Sequence, residues 1–168
     1  MKDELGRNIN YLRISVTDRC NLRCRYCMPE EGIEKKEHMD ILALEEIFEV
    51  VKVCADLGTN KIRITGGEPL VRKGLTGLIE RIAALESIKD LALTTNGSLL
   101  RRYARDLKKA GLKRINISLD TMDDKKYEYL TRGGKLKDVL EGFREALEVG
   151  LEPIKINTVL TKGFNDDE

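Results

Sequence analysis

Short runs of β-branched residues alternate along the chain with longer stretches in which apolar positions recur every three or four residues. The short runs predict strands at about 11–16, 61–65, 90–94, 114–118 and 154–160. The longer stretches predict helices at about 40–57, 74–86, 98–110, 123–130 and 135–149. A strand followed by a helix, repeated in this way, is typical of an α/β fold with a parallel sheet.

The predicted strands themselves alternate apolar with polar side chains. In the second strand, for example, Ile62 and Ile64 flank Arg63. Parallel sheets are usually covered on both faces and therefore apolar on both. Because successive side chains point to opposite faces, this sheet has one apolar face and one polar face. We therefore predict a curved sheet whose polar inner face surrounds a ligand cavity.

Three cations fall on the predicted inner face, namely Arg13, Arg63 and Lys155. Burying a cation without a partner costs several kcal/mol, so three of them predict an anionic ligand. Arginine offers a two-pronged hydrogen-bonding fork and lysine offers a point charge, and both suit a phosphate group.

Composition and charge narrow the function classes. The chain has 168 residues, of which 41% are hydrophobic and 35% charged, which suits one globular domain. Lysine plus arginine number 30 against 29 acidic residues, so no bulk attraction to nucleic acid or to a membrane is predicted. Without an export signal, and without an apolar run near the ~20 residues that span a bilayer, we predict a cytoplasmic protein.

Three of the four cysteines, Cys20, Cys24 and Cys27, follow the first strand in the spacing CxxxCxxC. Clustered cysteines in a reducing compartment more often bind metal than pair with each other. An iron–sulfur cubane normally takes four thiolates, so three would leave one iron open. The alternative is a zinc site with a fourth ligand from Cys54 or His38. We interpret Cys54, however, as a small apolar side chain on an amphipathic helix.

The segment RITGGEPL at 63–70 follows the second strand. Gly66 and Gly67 would allow close approach of the backbone to a ligand, and Glu68 would place a carboxylate beside it.

Polar residues also close the next two strands, in TTNG at 94–97 and SLD at 118–120. Considered singly, Asn96 and Asp120 are interpreted as ordinary turn or helix-capping residues. In barrels of parallel strands, however, ligand-binding groups gather at the C-terminal ends of the strands.

The segment SVTDRCNLRCRYCMP, with an aromatic residue before its last cysteine, resembles the signature of the radical S-adenosylmethionine (SAM) superfamily. The GGEP sequence resembles a second motif of that superfamily, which holds the amino group of the methionine moiety. The resemblance implies a partial TIM-like (β/α)6 barrel, with about five parallel strands in this chain. It also implies a 4Fe–4S cluster on the three clustered cysteines, whose electron splits SAM into methionine and a 5′-deoxyadenosyl radical. The SAM contacts implied are Tyr26, Gly66, Gly67, Glu68 and Ser118.

Over essentially the whole chain, YLRISVTDRCNLRCRYCMP, KIRITGGEPL, LTTNG, INISLDT and PIKINTVLTKGFND resemble the GTP 3′,8-cyclases of molybdenum cofactor biosynthesis. The resemblance implies a lyase that rearranges GTP to (8S)-3′,8-cyclo-7,8-dihydroguanosine 5′-triphosphate in the first step of that pathway. GTP would be bound by Arg13, Arg63, Thr94 and Lys155. A flavodoxin- or ferredoxin-type electron donor is implied as well, and a homodimer is compatible with the resemblance.

Members of that family are much longer than this chain. Their C-terminal region carries a sixth strand and three further cysteines that hold a second 4Fe–4S cluster. By this resemblance, residues 1–168 are an incomplete radical SAM core domain with an open barrel edge and impaired activity on its own.

Two other classes of function stay open. A peptide-modifying radical SAM maturase would share the cluster and the barrel but would lack a triphosphate site. A non-catalytic metal-binding or scaffold domain would bind zinc without iron and sulfide.

Overall fold

The structure, a computed structural model, describes residues 2–33 and 40–168. The strands are β1 (Tyr11–Ser15), β2 (Lys61–Thr65), β3 (Asp90–Thr95), β4 (Arg114–Ser118) and β5 (Ile154–Asn157). The helices are α1 (Leu44–Asp56), α2 (Leu75–Ala83), α3 (Leu100–Lys109), α4 (Asp124–Thr131) and α5 (Leu136–Glu148), and a 3-10 turn spans Pro69–Val71. None of these helices combines the length and the apolar character that a membrane crossing requires.

Two of the boundaries that differ from the prediction have a local cause. Helix α1 begins at Leu44 rather than near residue 40, because Ala43 is extended and its backbone N–H donates to the Glu46 carboxylate (2.7 Å), which starts the helix. Strand β5 ends at Asn157 rather than residue 160, because the backbone N–H of Val159 turns to donate to the Asp120 carboxylate (2.8 Å).

The sheet runs β1-β2-β3-β4-β5 in sequence order, and all its neighbouring strands are parallel. A doubly wound sheet would reverse its strand order at a switch point. A strand order that follows the chain without reversal is that of a (β/α) barrel. The predicted fold class, an α/β partial barrel with five parallel strands, is therefore confirmed.

The helices and one face of the sheet enclose the hydrophobic core. Each central strand contributes two apolar side chains that are almost fully buried: Ile62, Ile64, Leu91, Leu93, Ile115 and Ile117. Full burial of such a side chain stabilises a fold by roughly 1.5–3 kcal/mol. We call the opposite face of the sheet the inner face.

The inner face carries the polar residues in rows that follow the strand register. One row is Arg13, Arg63, Ala92 and Arg114. The next row is Thr94, Asn116 and Lys155. The predicted split into an apolar face and a polar face is thus confirmed. The expectation that all three cations are buried is wrong: Arg63 is half-buried, but Arg13 and Lys155 are exposed, because they lie on β1 and β5, the two edge strands of the open sheet.

Helix α5 packs closely on α3 and on the turn before it, and Gly142 makes this approach possible. A Cβ atom at Gly142 would lie 2.5 Å from the carbonyl oxygen of Gly97 and 2.9 Å from the Cβ of Leu100. Gly77 in α2, by contrast, faces open space, and a Cβ atom there would meet no atom within 4 Å among the described residues.

These two helical glycines give opposite expectations for replacement by alanine. Gly77→Ala should raise the free energy of unfolding by roughly 0.5–1 kcal/mol, since alanine favours helix. Gly142→Ala should lower it by about 1–3 kcal/mol, since the added methyl overpacks the α3–α5 contact. Urea unfolding followed by circular dichroism measures both values. A stabilising Gly142→Ala would contradict the described packing of these helices.

Candidate functional site

The segment that carries the three clustered cysteines, residues 16–28, is called the cysteine loop below. It begins as a continuation of the β1–β2 ladder. Three backbone hydrogen bonds form this continuation, each 2.8 Å long: Val16 N to Thr65 O, Gly67 N to Thr17 O, and Glu68 N to Arg19 O. The start of the loop is therefore positioned by the sheet itself.

The structure gives a reason for the two glycines after β2 that differs from the close approach to a ligand inferred from sequence. A Cβ atom on Gly66 would lie 2.6 Å from the carbonyl oxygen of Thr17, and one on Gly67 would overlap the carbonyl of Arg19. The close approach that these glycines permit is thus to the backbone of the cysteine loop. Their predicted contact with SAM stays a prediction.

The C-terminal end of α4 holds the other side of the loop. The backbone N–H of Arg25 donates to the carbonyl of Leu130 (2.9 Å). The guanidinium of Arg132 donates to the carbonyls of Arg23 (2.7 Å) and Met28 (2.8 Å). The cysteine loop is therefore held between the strand ends and α4.

The three thiols are unpaired; Cys20 and Cys24 are half-buried and Cys27 is exposed. Burial raises the pKa of Cys24 to about 11, and the nearby thiolates of Cys20 and Cys27 contribute to the rise. The pKa of Cys20 is raised as well, chiefly by burial. Three thiolates at this place are thus unfavourable without a bound cation, which a metal centre would supply.

The donor set fits an iron–sulfur cluster better than a zinc ion. Within residues 2–33 and 40–168, no three His, Cys, Asp or Glu side chains converge closely enough to hold one metal ion. A cubane needs a wider arrangement, because each cysteine binds a different iron atom. Cys54 lies near the C-terminal end of α1, and its carbonyl accepts from Thr59 N (3.0 Å) just before β2 starts. Cys54 is therefore at the N-terminal end of the strands, whereas the cysteine loop is at their C-terminal end. His38 lies outside the described residues.

Glu68 is fully buried directly after the two glycines, and its carboxylate is used by the chain itself. Its Oε1 accepts from Leu70 N (3.0 Å) and from Thr95 Oγ1 (2.8 Å), and its Oε2 accepts from Asn96 N (2.7 Å). Burial raises the pKa of Glu68, while these three donors oppose the rise. The carboxylate therefore ties the end of β2 to the end of β3.

Asp120 does not cap a helix, so its interpretation as a helix-capping residue is wrong. Helix α4 is capped instead by Asp123, whose side chain accepts from Lys126 N. The carboxylate of Asp120 accepts from the hydroxyl of Tyr26 (2.7 Å) and from the backbone of Val159 (2.8 Å). It thereby joins the cysteine loop to the segment after β5. The pKa of Tyr26 is raised, chiefly by burial and to a smaller extent by the hydrogen bond to the Asp120 carboxylate.

Asn96 does form the predicted turn, because its Oδ1 accepts from Ser98 N (3.0 Å). Its amide nitrogen also lies 3.8 Å from the sulfur of Cys20, within hydrogen-bonding distance for sulfur. Sequence reasoning missed this second contact.

The residues predicted to bind GTP lie together on the inner face. Arg13 is the register partner of Arg63, and Thr94 lies in the row that leads to Lys155. The Nε of Arg63 and the Oγ1 of Thr94 are buried without a hydrogen-bond partner among the described residues. Ser118, predicted to contact SAM, is at the end of β4.

Sequence reasoning also missed an ion pair on the inner face. The guanidinium of Arg114 donates to both carboxylate oxygens of Asp90, at 2.9 and 2.7 Å. This contact holds the pKa of Asp90 below its usual range. The strand period could have placed Arg114 on the inner face, because it lies two residues before the inner-face residue Asn116, but it does not identify Asp90 as the partner.

The family model of the Radical SAM superfamily matches residues 14–168. The chain belongs to the radical SAM superfamily. Membership implies a 4Fe–4S cluster and SAM, in agreement with a loop of three free thiols at the end of β1.

The curated proteins to which the chain is similar include GTP 3′,8-cyclases. It is 64% identical to that of Peptoclostridium acidaminophilum over 166 residues, which cover 99% of this chain and 51% of the relative. It is 59% identical to that of Alkaliphilus metalliredigens, with 100% and 52% covered. The chain thus spans about half the length of the curated relatives it matches.

Solved structures of other proteins share the fold. Streptococcus suis SuiB bound to S-adenosylmethionine gives a TM-score of 0.76 at 24% identity, covering 91% of this chain and 34% of SuiB. The FeFe-hydrogenase maturase HydG gives a TM-score of 0.73 at 18% identity, covering 92% of this chain and 36% of HydG. At these identities the likeness extends to the barrel architecture alone.

The Glu68 contacts predict the effect of a nearly isosteric change. In Glu68→Gln, an amide NH2 must face an N–H donor, so the free energy of unfolding should fall by about 1–3 kcal/mol. The control is Glu80→Gln on the exposed side of α2, which should change it by less than about 0.5 kcal/mol. Urea unfolding at pH 7 checks both variants. Equal stability of the two would contradict the described role of the Glu68 carboxylate.

Proposed function

We propose that this chain is the SAM-cleaving part of a GTP 3′,8-cyclase, with the 4Fe–4S cluster held by Cys20, Cys24 and Cys27. The observation that carries the proposal is that cations line the inner face of the strands that lead to the cysteine loop. Arg13 and Arg63 are register partners on β1 and β2, the two strands whose ladder continues into the loop. The names of the curated relatives point to the same reaction.

The charges of the inner face suit a nucleoside triphosphate. Asp90 neutralises Arg114, which leaves Arg13, Arg63 and Lys155 to attract an anion. The buried and unpartnered Nε of Arg63 would gain an acceptor from a phosphate oxygen, which is a strong charge-assisted hydrogen bond. In the proposed assignment Thr94 completes the set, since its hydroxyl also lacks a partner among the described residues.

The groups around the cysteine loop suit SAM. When bound, the cluster supplies the electron that splits SAM. The proposed SAM contacts are Tyr26, Gly66, Gly67, Glu68 and Ser118. Tyr26 is 54% exposed while its hydroxyl donates to Asp120, so its ring offers a flat surface of fixed orientation to an adenine ring.

The proposed reaction requires GTP on the inner face and SAM at the cysteine loop to lie next to each other. The radical obtained from SAM would take a hydrogen atom from the ribose of GTP and leave as 5′-deoxyadenosine. The ribose carbon radical would then add to carbon 8 of the guanine, and one electron from the proposed electron donor together with one proton would complete the dihydro product. The chain's own residues would bind and orient the triphosphate so that the ribose faces the cysteine loop. We further propose a second 4Fe–4S cluster in a C-terminal half like that of the relatives, a flavodoxin- or ferredoxin-type electron donor, and a cytoplasmic location.

The cluster assignment predicts a metal content that depends on one cysteine. The anaerobically reconstituted chain should hold roughly four iron and four sulfide ions, and Cys24→Ala should lose most of them, because one of three ligands is gone. The matched control is Cys54→Ala, which should keep the wild-type content because Cys54 is remote from the loop. Iron and sulfide analysis measures both. Zinc without iron would support the scaffold class of function instead.

The substrate assignment is tested by turnover of the whole gene product with GTP, SAM and a reductant under anaerobic conditions. A cyclised nucleotide should form, and Arg63→Ala should raise the KM for GTP by about 10- to 100-fold, since a charge-assisted contact is lost. Arg101→Ala is the control, because Arg101 pairs with Glu141 on the outer helices and is 68% exposed.

Chromatography of the products checks this prediction. If GTP is unchanged while SAM is still cleaved, the assignment is wrong. A peptide-modifying enzyme is then the better proposal, since it shares the cluster and the barrel but needs no triphosphate site.

A further inference from the structure

The side chain of Asn96 directs its amide nitrogen at the sulfur of Cys20. The orientation of the amide is determined by its other contacts. Its Oδ1 lies 3.0 Å from the backbone nitrogen of Ser98, and a backbone N–H can only donate. The oxygen must therefore face Ser98, and the NH2 group faces Cys20 Sγ at 3.8 Å and Asn21 Oδ1 at 3.0 Å.

Asn96 is also held rigidly by its backbone. Its N–H donates to the buried carboxylate of Glu68 at 2.7 Å. The hydroxyl of Ser98 donates to Asn96 Oδ1 at 2.6 Å and accepts from Asn21 Nδ2 at 2.9 Å. A half-buried amide with these contacts has little freedom to turn away from Cys20.

We propose that Asn96 raises the reduction potential of the cluster by donating a hydrogen bond to the Cys20 thiolate. This inference rests on the cluster ligation proposed above, and it does not depend on the identity of the substrate. The reduced cluster carries one more negative charge than the oxidised cluster, so a donor to a ligating sulfur stabilises the reduced form more. Glu68 is the positioning residue for this contact, because its buried carboxylate holds the backbone of Asn96.

The test variant is Asn96→Ser. A serine hydroxyl can still accept from Ser98 N in the turn, and it is neutral, but it is too short to reach Cys20. The midpoint potential of the cluster should become more negative. Asn96→Asp keeps the turn acceptor and replaces the donor with an anionic oxygen, so its shift should be in the same direction and larger. Redox titration of the reconstituted protein without SAM, followed by electron paramagnetic resonance, measures these potentials.

Ser98→Ala is the matched control. It removes a hydroxyl that contacts Asn96 and Asn21 but keeps the two backbone hydrogen bonds that orient Asn96, from Ser98 N to Asn96 Oδ1 and from Asn96 N to Glu68. The NH2 group of Asn96 therefore stays beside Cys20, and the potential should match the wild type. Wild-type potentials in both Asn96 variants would overturn the inference. Loss of iron from Asn96→Ser, with an unchanged circular dichroism spectrum, would also overturn it, because Asn96 would then serve assembly.

Failure of this inference can be told apart from failure of the proposed function. A wild-type protein that holds no reducible cluster would overturn both the ligand assignment and the role of Asn96. A wild-type cluster with normal reduction but unshifted variants would overturn the role of Asn96 alone. Absence of GTP turnover would leave the measured potentials, and therefore this inference, unaffected.

Discussion

The close packing of the cysteine loop on the Gly66–Gly67 segment is the constraint on which the candidate site depends. The backbones meet there at distances that no Cβ atom would allow, and hydrogen bonds extend the β1–β2 ladder into the loop. A loop attached in this way takes its position from the sheet rather than from its own sequence. The three thiols therefore follow a segment that the sheet positions, which suits a site that must keep a fixed geometry.

The ends of two further strands, β3 and β4, reach the same loop through single side chains. Glu68 joins the end of β2 to that of β3, and Asn96 extends this connection to Cys20. Asp120 joins the end of β4 to Tyr26 and to the segment after β5. Each strand end of the partial barrel thus contributes a hydrogen bond that holds the loop or its surroundings. This arrangement is the general pattern of parallel barrels, in which functional groups gather at the C-terminal ends of the strands.

The inner face differs from the cysteine loop in that only some of its polar groups form hydrogen bonds or ion pairs within the described residues. Arg114 and Asp90 neutralise each other, whereas the buried Nε of Arg63 and Oγ1 of Thr94 have no partner within the described residues. Unsatisfied buried polar atoms are rare in folded proteins and call for an explanation. A bound anion with several acceptor oxygens would explain these unsatisfied donors, and it would also account for the exposed cations on β1 and β5.

The sequence by itself determined the order and type of the elements, the polar inner face and the cysteine cluster. These features follow from local periods and spacings: a period of two places Arg13 and Arg63 on the inner face, and the CxxxCxxC spacing brings three thiols into one loop. Only the tertiary structure decided the partners of Glu68, Asn96, Asp120 and Arg114. Their contacts join residues that are 24 to 94 positions apart, namely Arg114 to Asp90, Asn96 to Glu68, Asn96 to Cys20 and Tyr26 to Asp120. Such contacts arise because the strand register brings separate strand ends together, and no pattern within one strand contains that information.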